Sequence, residues 1–232
     1  MIQFKNVSKR FGRVRAVDDM SLDFPEGKII GIFGPNGAGK STMLKIISGL
    51  NYADEGKVTV DGRHPWDKRA EIAFLPEINH LYSWWTLKHA ADFTRAFYPD
   101  WDENRYRDLM IFLNINDNMK LDKISKGQLA KCKLALTLSR QSPYLLMDEP
   151  FSGIDIMTRA DIVKALIRDY NQGNQTIIIS THEIDEIESL VDYVMFIDQG
   201  RIRLQGDAEE LRTERQMSLV EIMKEAFKDA KD

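Results

Sequence analysis

Disulfide bonding is excluded at once: the 232 residues hold one cysteine, Cys132, which has no intrachain partner and suits a reducing compartment. Long hydrophobic runs are missing too. Nowhere do ~18 apolar residues follow one another, so the sequence offers no candidate membrane-spanning helix. Met1-Ile2-Gln3-Phe4-Lys5-Asn6 lacks the charged-then-apolar order of a signal peptide, and the expectation is a cytoplasmic chain. There is no cationic excess. Against 32 Lys and Arg stand 36 Asp and Glu, a net charge of -4. That balance argues against a protein that coats nucleic acid, while leaving room for a phosphate-bearing ligand at a local site. Internal repeats and low-complexity linkers are absent. What remains is an ordinary globular composition, 43% hydrophobic and 29% charged, in a length that predicts one unit with a subdomain.

The first third carries strand signals. Ile2, Phe4 and Val7 alternate with polar residues, and Met20 to Phe24 alternates until the Pro25-Glu26-Gly27 turn. Lys28 to Phe33 is short and isoleucine-rich, as a buried central strand is. Helical spacing follows from Ser41 to Leu50, then strands at Lys57–Val60 and Ile72–Leu75. From about Leu81 to Arg140 the pattern is helical, broken at Tyr98-Pro99-Asp100, where Asp100 or Asp102 is positioned to cap the next helix. Further strands are expected at Tyr144–Met147 and Thr176–Ser180, on either side of a helix from Arg159 to Tyr170. A hairpin is expected around Asp198-Gln199-Gly200, and the charged tail from Asp207 carries Leu219, Ile222, Met223 and Phe227 at helical spacing. Strands alternating with helices predict a largely parallel α/β core, with antiparallel strands first and a helical insert.

The chemistry concentrates in three places. Gly34-Pro35-Asn36-Gly37-Ala38-Gly39-Lys40-Ser41, followed by Thr42, matches G-x-x-x-x-G-K-[ST]. Glycines let backbone N–H groups turn toward a polyphosphate, and the following helix offers its positive end. Lys40 reaches the terminal phosphates and the Ser41 hydroxyl ligates Mg²⁺. A glycine-rich turn with a solvated lysine is the plain alternative, and the position between a predicted strand and a predicted helix argues against it. Tyr144 to Met147 then ends in Asp148-Glu149, two carboxylates at the carboxyl edge of a strand, where open α/β sheets bind ligands. Asp148 would hold Mg²⁺ through water, and Glu149 would orient or deprotonate the attacking water. His182, just past the Thr176–Ser180 strand, is placed to reach a γ-phosphate or to pack as an ordinary surface histidine. These residues describe a P-loop nucleotide hydrolase and leave its branches open.

Ile124-Ser125-Lys126-Gly127-Gln128 narrows the choice. It resembles the signature of ATP-binding cassette proteins, usually L-S-G-G-Q, in the family's order between the phosphate loop and the Asp148 strand. The resemblance covers nearly the whole chain. Phe11 stands where the family stacks an aromatic on adenine, and Glu77 where it usually has the Q-loop glutamine. Ser152-Gly153-Ile154-Asp155 resembles the D-loop, and Thr181-His182 the switch histidine.

The resemblance implies an α/β fold, a P-loop NTPase (RecA-like) core with an antiparallel β subdomain and an inserted helical subdomain. It divides a single unit of residues 1–232 into core and β subdomain (1–77 and 141–206), helical subdomain (78–140) and helical tail (207–232). It implies ATP and Mg²⁺ as ligands, with Ser41, Asp148 and Glu77 at the metal. It also implies a head-to-tail pair of nucleotide-binding subunits, each ATP lying between one phosphate loop and the partner's Ser125–Gln128, with Asp155 near the opposite nucleotide. The implied activity is ATP hydrolysis that drives transport through a separate transmembrane permease, with the chain peripheral on the cytoplasmic membrane face. Two departures stand out: Lys126 replaces a glycine, and Glu77 replaces the glutamine. Both resemble variants of bacterial drug, peptide and antibiotic exporters. The alternative is a soluble cassette ATPase of a protein-assembly complex. Tyr82, Trp84 and Trp85 read equally as core or as anchors for a permease helix, and the tail helix is expected to pack back on the domain.

Overall fold

The computed structural model describes residues 1–170 and 174–228. In chain order the elements are β1 (Ile2–Phe11), β2 (Val14–Phe24), β3 (Ile29–Phe33), α1 (Lys40–Ile47), β4 (Glu55–Val60), α2 (Pro65–Lys68), β5 (Ile72–Leu75), α3 (Leu87–Phe97), α4 (Glu103–Phe112) and α5 (Lys126–Leu138). They continue with β6 (Tyr144–Asp148), α6 (Ile156–Asp169), β7 (Thr176–Thr181), β8 (Tyr193–Asp198), β9 (Arg201–Asp207), α7 (Ala208–Arg215) and α8 (Leu219–Lys228). The strands form two sheets. One is antiparallel in the order β2-β1-β4, and the other runs β5-β6-β7-β3-β8-β9. In the larger sheet β5, β6, β7, β3 and β8 are parallel, and β9 returns antiparallel to β8.

The isoleucine-rich runs explain this sheet. β3 and β7 are buried at every residue, as parallel strands covered on both faces must be. Their side chains alternate between two cores. Ile29, Phe33, Ile177 and Ile179 join α3, α4, α5, α6 and α8 in one cluster. Ile30, Ile32 and Ile178 join α1 and the antiparallel sheet in the other. The helical insert therefore shares the cluster on one face of the parallel sheet: Leu87, Ala90, Leu109, Leu113 and Leu134 pack with Ala73, Leu75 and Leu145.

Local signals hold in most places. Asp102 caps α4, accepting from the amides of Asn104 and Arg105 at 2.9 and 3.0 Å. Asp100 instead binds the Arg140 guanidinium at 3.1 and 3.0 Å, while Arg140 also donates to the Ile72 carbonyl and lies 3.7 Å over the Tyr98 ring. This buried clasp pins the start of α4 to β5. β2 begins at Val14, six residues before the alternating stretch predicts, because its first half pairs with Lys9, Arg10 and Phe11 of β1. The single turn α2 is legible only as Pro65 at the first helical position after His64, whose ring accepts from the Trp66 amide,. α6 starts at Ile156, ahead of the predicted Arg159, because Asp155 caps it. The tail packs back: Leu219 and Ile222 are fully buried, and the Phe227 ring sits 6.2 Å from Phe196. Residues 229–232 of the expected tail lie outside the described residues.

Candidate active site

The strand order decides which loops meet. β6, β7 and β3 are consecutive neighbours, so the loops at their carboxyl ends emerge side by side. Those loops hold Asp148-Glu149, His182 and Gly34–Ser41. The register then matches partners across strands: Asp148 lies opposite Ser180, and Phe33 opposite Thr181.

The phosphate loop is held from below by backbone. A Cβ on Gly34 would lie 2.1 Å from the Ile197 carbonyl oxygen, and one on Gly39 would lie 2.0 Å from that of Ala16. Both positions require glycine because another chain segment passes underneath. Gly39 also has φ 108 and stands as the N-cap of α1 without any side-chain cap. The first amides of α1 therefore keep their donors for an anion. The β8–β9 turn supports the loop, with the Gly200 amide donating to the Ala38 carbonyl at 3.0 Å.

Around this loop the functional side chains are buried and bonded to one another. Lys40, 5% exposed, donates to the Gly34 carbonyl at 2.7 Å and pairs with Glu149 Oε1 at 3.2 Å. Ser41 Oγ donates to Asp148 Oδ1 at 2.9 Å, and Ser180 Oγ donates to the same oxygen at 2.7 Å. Glu149 adopts φ 46, a left-handed turn directly after β6, with its amide donating to the Ser180 carbonyl at 2.9 Å. Its other carboxylate oxygen, Oε2, is 2.9 Å from His182 Nδ1. A carboxylate held between an ammonium and an imidazole, one residue from a second carboxylate bonded to two hydroxyls, is an arrangement suited to phosphoryl transfer to water. Asp148 and Ser41 are a hard-oxygen pair of the kind Mg²⁺ takes, its other ligands being phosphate and water. Among the described residues no cluster of three or more His, Cys, Asp or Glu could hold a metal ion.

The remaining predicted site residues lie apart from this edge. Ser125 and Gln128 form a capping box at the start of α5, each side chain bonded to the other's backbone at 3.1 Å. Asp155 caps α6 through the Thr158 amide at 2.9 Å and accepts from the Thr158 hydroxyl at 2.7 Å. Those two bonds, the amide first, hold its carboxyl below the usual range. The two helix starts are neighbours, since a Cβ on Gly127 would lie 2.8 Å from Thr158 Oγ1 and 3.4 Å from Asp155 Oδ2. Among the described residues none of Phe11, Ser125, Gly127, Gln128 and Asp155 shares a hydrogen bond or ion pair with Lys40, Ser41, Asp148 or Glu149. Phe11 is an exposed ring at the β1–β2 turn, with Lys9 Nζ 5.5 Å above it. Asn36 and Gly37 are exposed, Ala38 buried and Thr42 half-buried. Glu77 is exposed and lines two openings. One is a groove of about 710 Å³ that also reaches Ser41 and Asp148; the other is a pocket of about 400 Å³ shared with Lys126, Glu149 and Ser152.

Sequence reasoning passed over Ser180, which looks like the last residue of an apolar strand and is the second donor to Asp148. It also passed over Lys133 and the Arg159–Glu186 pair, whose partners lie far away in the chain. Burial raises Glu186 to about 7, as does neighbouring Glu183, while Arg159 pulls the other way. Of the aromatic residues after Glu77, Trp85 is half-buried against the core while Tyr82 and Trp84 are exposed. Tyr82 stacks against Trp84 and Trp85 at 4.6 and 4.8 Å, Trp85 meets Phe93 at 5.2 Å, and Phe93 meets Phe97 at 4.7 Å. Tyr82, Trp84, Phe93 and Phe97 are all at least half exposed, an apolar patch of the kind that marks an interaction surface.

Comparison with known proteins agrees with this geometry. A family model described as ABC transporter matches residues 17–152. The ABC transporter ATP-binding protein YtrB of Bacillus subtilis is 30% identical over 218 residues, covering 92% of this chain and 74% of that protein. The tungstate uptake system ATP-binding protein TupC of Peptoclostridium acidaminophilum is 34% identical over 212 residues, 87% of this chain and 96% of its own length. Among solved structures, an ATP binding subunit of an ABC transporter superposes with a TM-score of 0.86 at 24% identity, covering 98% of this chain and 99% of that one. A dimeric ATP-binding cassette in a post-hydrolysis state, bound to ADP and Pi, gives 0.79 at 23% identity, covering 90% and 99%.

Proposed function

The chain belongs to the ABC transporter family, and from that premise we propose that it powers a separate transmembrane permease by ATP-driven closure of a pair of cassettes. It is an ATP-binding, ATP-hydrolysing cassette by family; the permease, the direction and the residue roles are the proposal. The observation that carries it is the bonded set Lys40, Ser41, Asp148, Glu149 and His182 at one sheet edge. In this reading the loop amides of Gly37 to Thr42 and the Lys40 ammonium bind the β- and γ-phosphates. Phe11 stacks on the adenine. Ser41 and, through water, Asp148 would hold Mg²⁺, with Glu77 binding the ion or its water; when bound it would supply positive charge against the phosphates. Glu149 takes the proton of the attacking water while His182 orients it at the γ-phosphate.

The exposed helix starts complete the site of a second subunit, a copy of this chain or a homologue. Ser125, Gly127 and Gln128 present the positive end of α5 to the partner's γ-phosphate, and Asp155 lies beside them. We read residues 78–140 as the helical subdomain, with its aromatic patch as the seat of a permease helix: the groove of about 710 Å³ runs from Ser41 and Asp148 to Phe97 and Tyr98. No helix among the described residues is long and apolar enough to cross a membrane. In this reading the membrane path belongs to the permease, with this chain peripheral on the cytoplasmic face. Outward transport rests on sequence resemblance to exporter-type cassettes, at Lys126 and Glu77 and in the stretch Phe97 to Asp102. Relatives named for a direction, such as TupC and the petrobactin import protein YclP of Bacillus subtilis, are uptake or import proteins, and they weigh the other way.

The test is affinity purification of the tagged chain from detergent-solubilised membranes. A multi-span membrane protein in stoichiometric amount is the expected result. Recovery with a soluble complex alone would replace this reading with the assembly ATPase. Substrate flux in inverted vesicles of the recovered pair then fixes the direction.

A further inference from the structure

One buried charge lies outside this machinery. Lys133 stands two turns into α5 and is 7% exposed. No carboxylate lies within ion-pair distance of it among the described residues. Its ammonium instead donates to three consecutive carbonyls, those of Pro76 at 2.6 Å, Glu77 at 3.0 Å and Ile78 at 3.1 Å. An ammonium has three donors and no acceptor, so this set uses all of them. Burial pushes the group down to about 8, while the charges of Glu77 and Asp148 favour its protonated form. A methionine would fill similar space without desolvating a charge, so packing alone does not call for lysine here.

The place of the clamp gives it meaning. β5 ends at Leu75, and no helix begins until Leu87. Pro76 to Ile78 is therefore the first stretch of the passage from the parallel sheet into the helical insert. Glu77 sits in that stretch and borders the Ser41–Asp148 groove. Lys133 sits on the helix whose first turn is the Ser125–Gln128 capping box. One side chain thus joins the segment beside the buried catalytic edge to the helix that carries the exposed signature turn.

We propose that Lys133 is a positioning residue for ATP hydrolysis: by clamping Pro76–Ile78 to α5, it makes Glu77 and the Ser125–Gln128 turn move as one body. The inference rests on the ATPase reading for its consequence, but the clamp itself is tested without hydrolysis. In the full chain, Lys133→Met is compared with the parent by amide hydrogen exchange, equilibrium ATP binding and steady-state hydrolysis. Exchange in residues 77–86 is expected to quicken by about tenfold or more while residues 40–47 stay unchanged. Affinity for ATP and KM should stay within about twofold, and kcat should fall about tenfold, because a displaced positioning group costs rate rather than binding. With Glu77→Gln added, kcat should fall no further than in the slower single variant. Should Lys133→Met not fold, Lys133→Ala, which admits water to the three carbonyls, carries the same expectations. Unchanged exchange in 77–86 overturns the clamp. A parental kcat, or kcat and ATP binding falling together with the folded fraction, overturns the positioning role. A parent chain that binds and hydrolyses no ATP overturns the ATPase reading instead, and the exchange result still decides the clamp.

Discussion

The sheet edge and the helix starts are built in opposite ways. At the edge, Lys40 meets Glu149, Ser41 and Ser180 meet Asp148, and His182 meets Glu149, every bond joining distant parts of the chain. The carboxylates and Lys40 are less than a tenth exposed. At the starts of α5 and α6, Ser125, Gln128 and Asp155 are exposed, and among the described residues their side chains hydrogen-bond to residues three positions away. The edge is a site assembled by tertiary structure. The helix starts are a locally preformed, exposed surface, and in the proposed pair each serves the other subunit. In the proposed pair, that contrast would let one chain bind nucleotide yet need a partner for turnover.

The largest effect should come from the edge. Glu149→Gln keeps the shape and removes the base, so kcat should fall by about 10³-fold while ATP binding persists. Size-exclusion chromatography with ATP should then show a stable pair; hydrolysis at the parental rate would remove Glu149 from the role of base. A smaller effect is expected at the helix face. Gly127→Ala drives a Cβ to 2.8 Å from Thr158 Oγ1, which disturbs the Asp155–Thr158 pair. Hydrolysis should drop about tenfold, with the ATP affinity of the isolated chain unchanged. A loss of ATP affinity would show that the two regions are one site within a single chain, and the contrast would fail.

A third effect, on stability rather than rate, concerns the link between them. Lys133 is protonated up to about 8 in the folded chain, against 10.5 for the free side chain. Between those values the unfolded chain holds a proton that the folded chain has released. Stability from this group therefore rises with pH across that window, and its cost is fully present below about 8. The contribution is on the order of 3 kcal/mol at most. Urea unfolding at pH 7 to 10 should show the parent gaining stability relative to Lys133→Met as pH rises; parallel curves would mean that Lys133 is not a buried cation.

Much of the edge was legible in the sequence. The spacing from Gly34 to Ser41 and the apolar strand ending in Asp148-Glu149 state chemistry in local terms, and a local motif needs only its own neighbours to be read. Ser125 and Asp155 were legible only through their resemblance to the cassette signature and D-loop; the local pattern misses Asp155 as the cap of α6 and predicts that helix three residues too late, at Arg159. Ser180, Lys133 and Glu186 were not legible, because a serine in an apolar strand, a lysine in an amphipathic helix and a glutamate in a charged run have many ordinary uses. Their partners are 32 residues from Ser180 and 55 to 57 from Lys133. The aromatic run after Glu77 was legible as a cluster, but burial decides between core and surface, and burial is a property of the whole fold.

By itself the sequence determined most of the elements, the glycines of the loop between β3 and α1, and the order of the cassette motifs. Those follow from short-range sterics, periodicity and capping, which act within a few residues. Only the tertiary structure decided that β6, β7 and β3 lie side by side, that Lys40 and His182 grip the same carboxylate, and that Lys133 ties the insert to the edge of the sheet. Those contacts depend on strand order and on burial of charge, which no stretch of sequence contains alone.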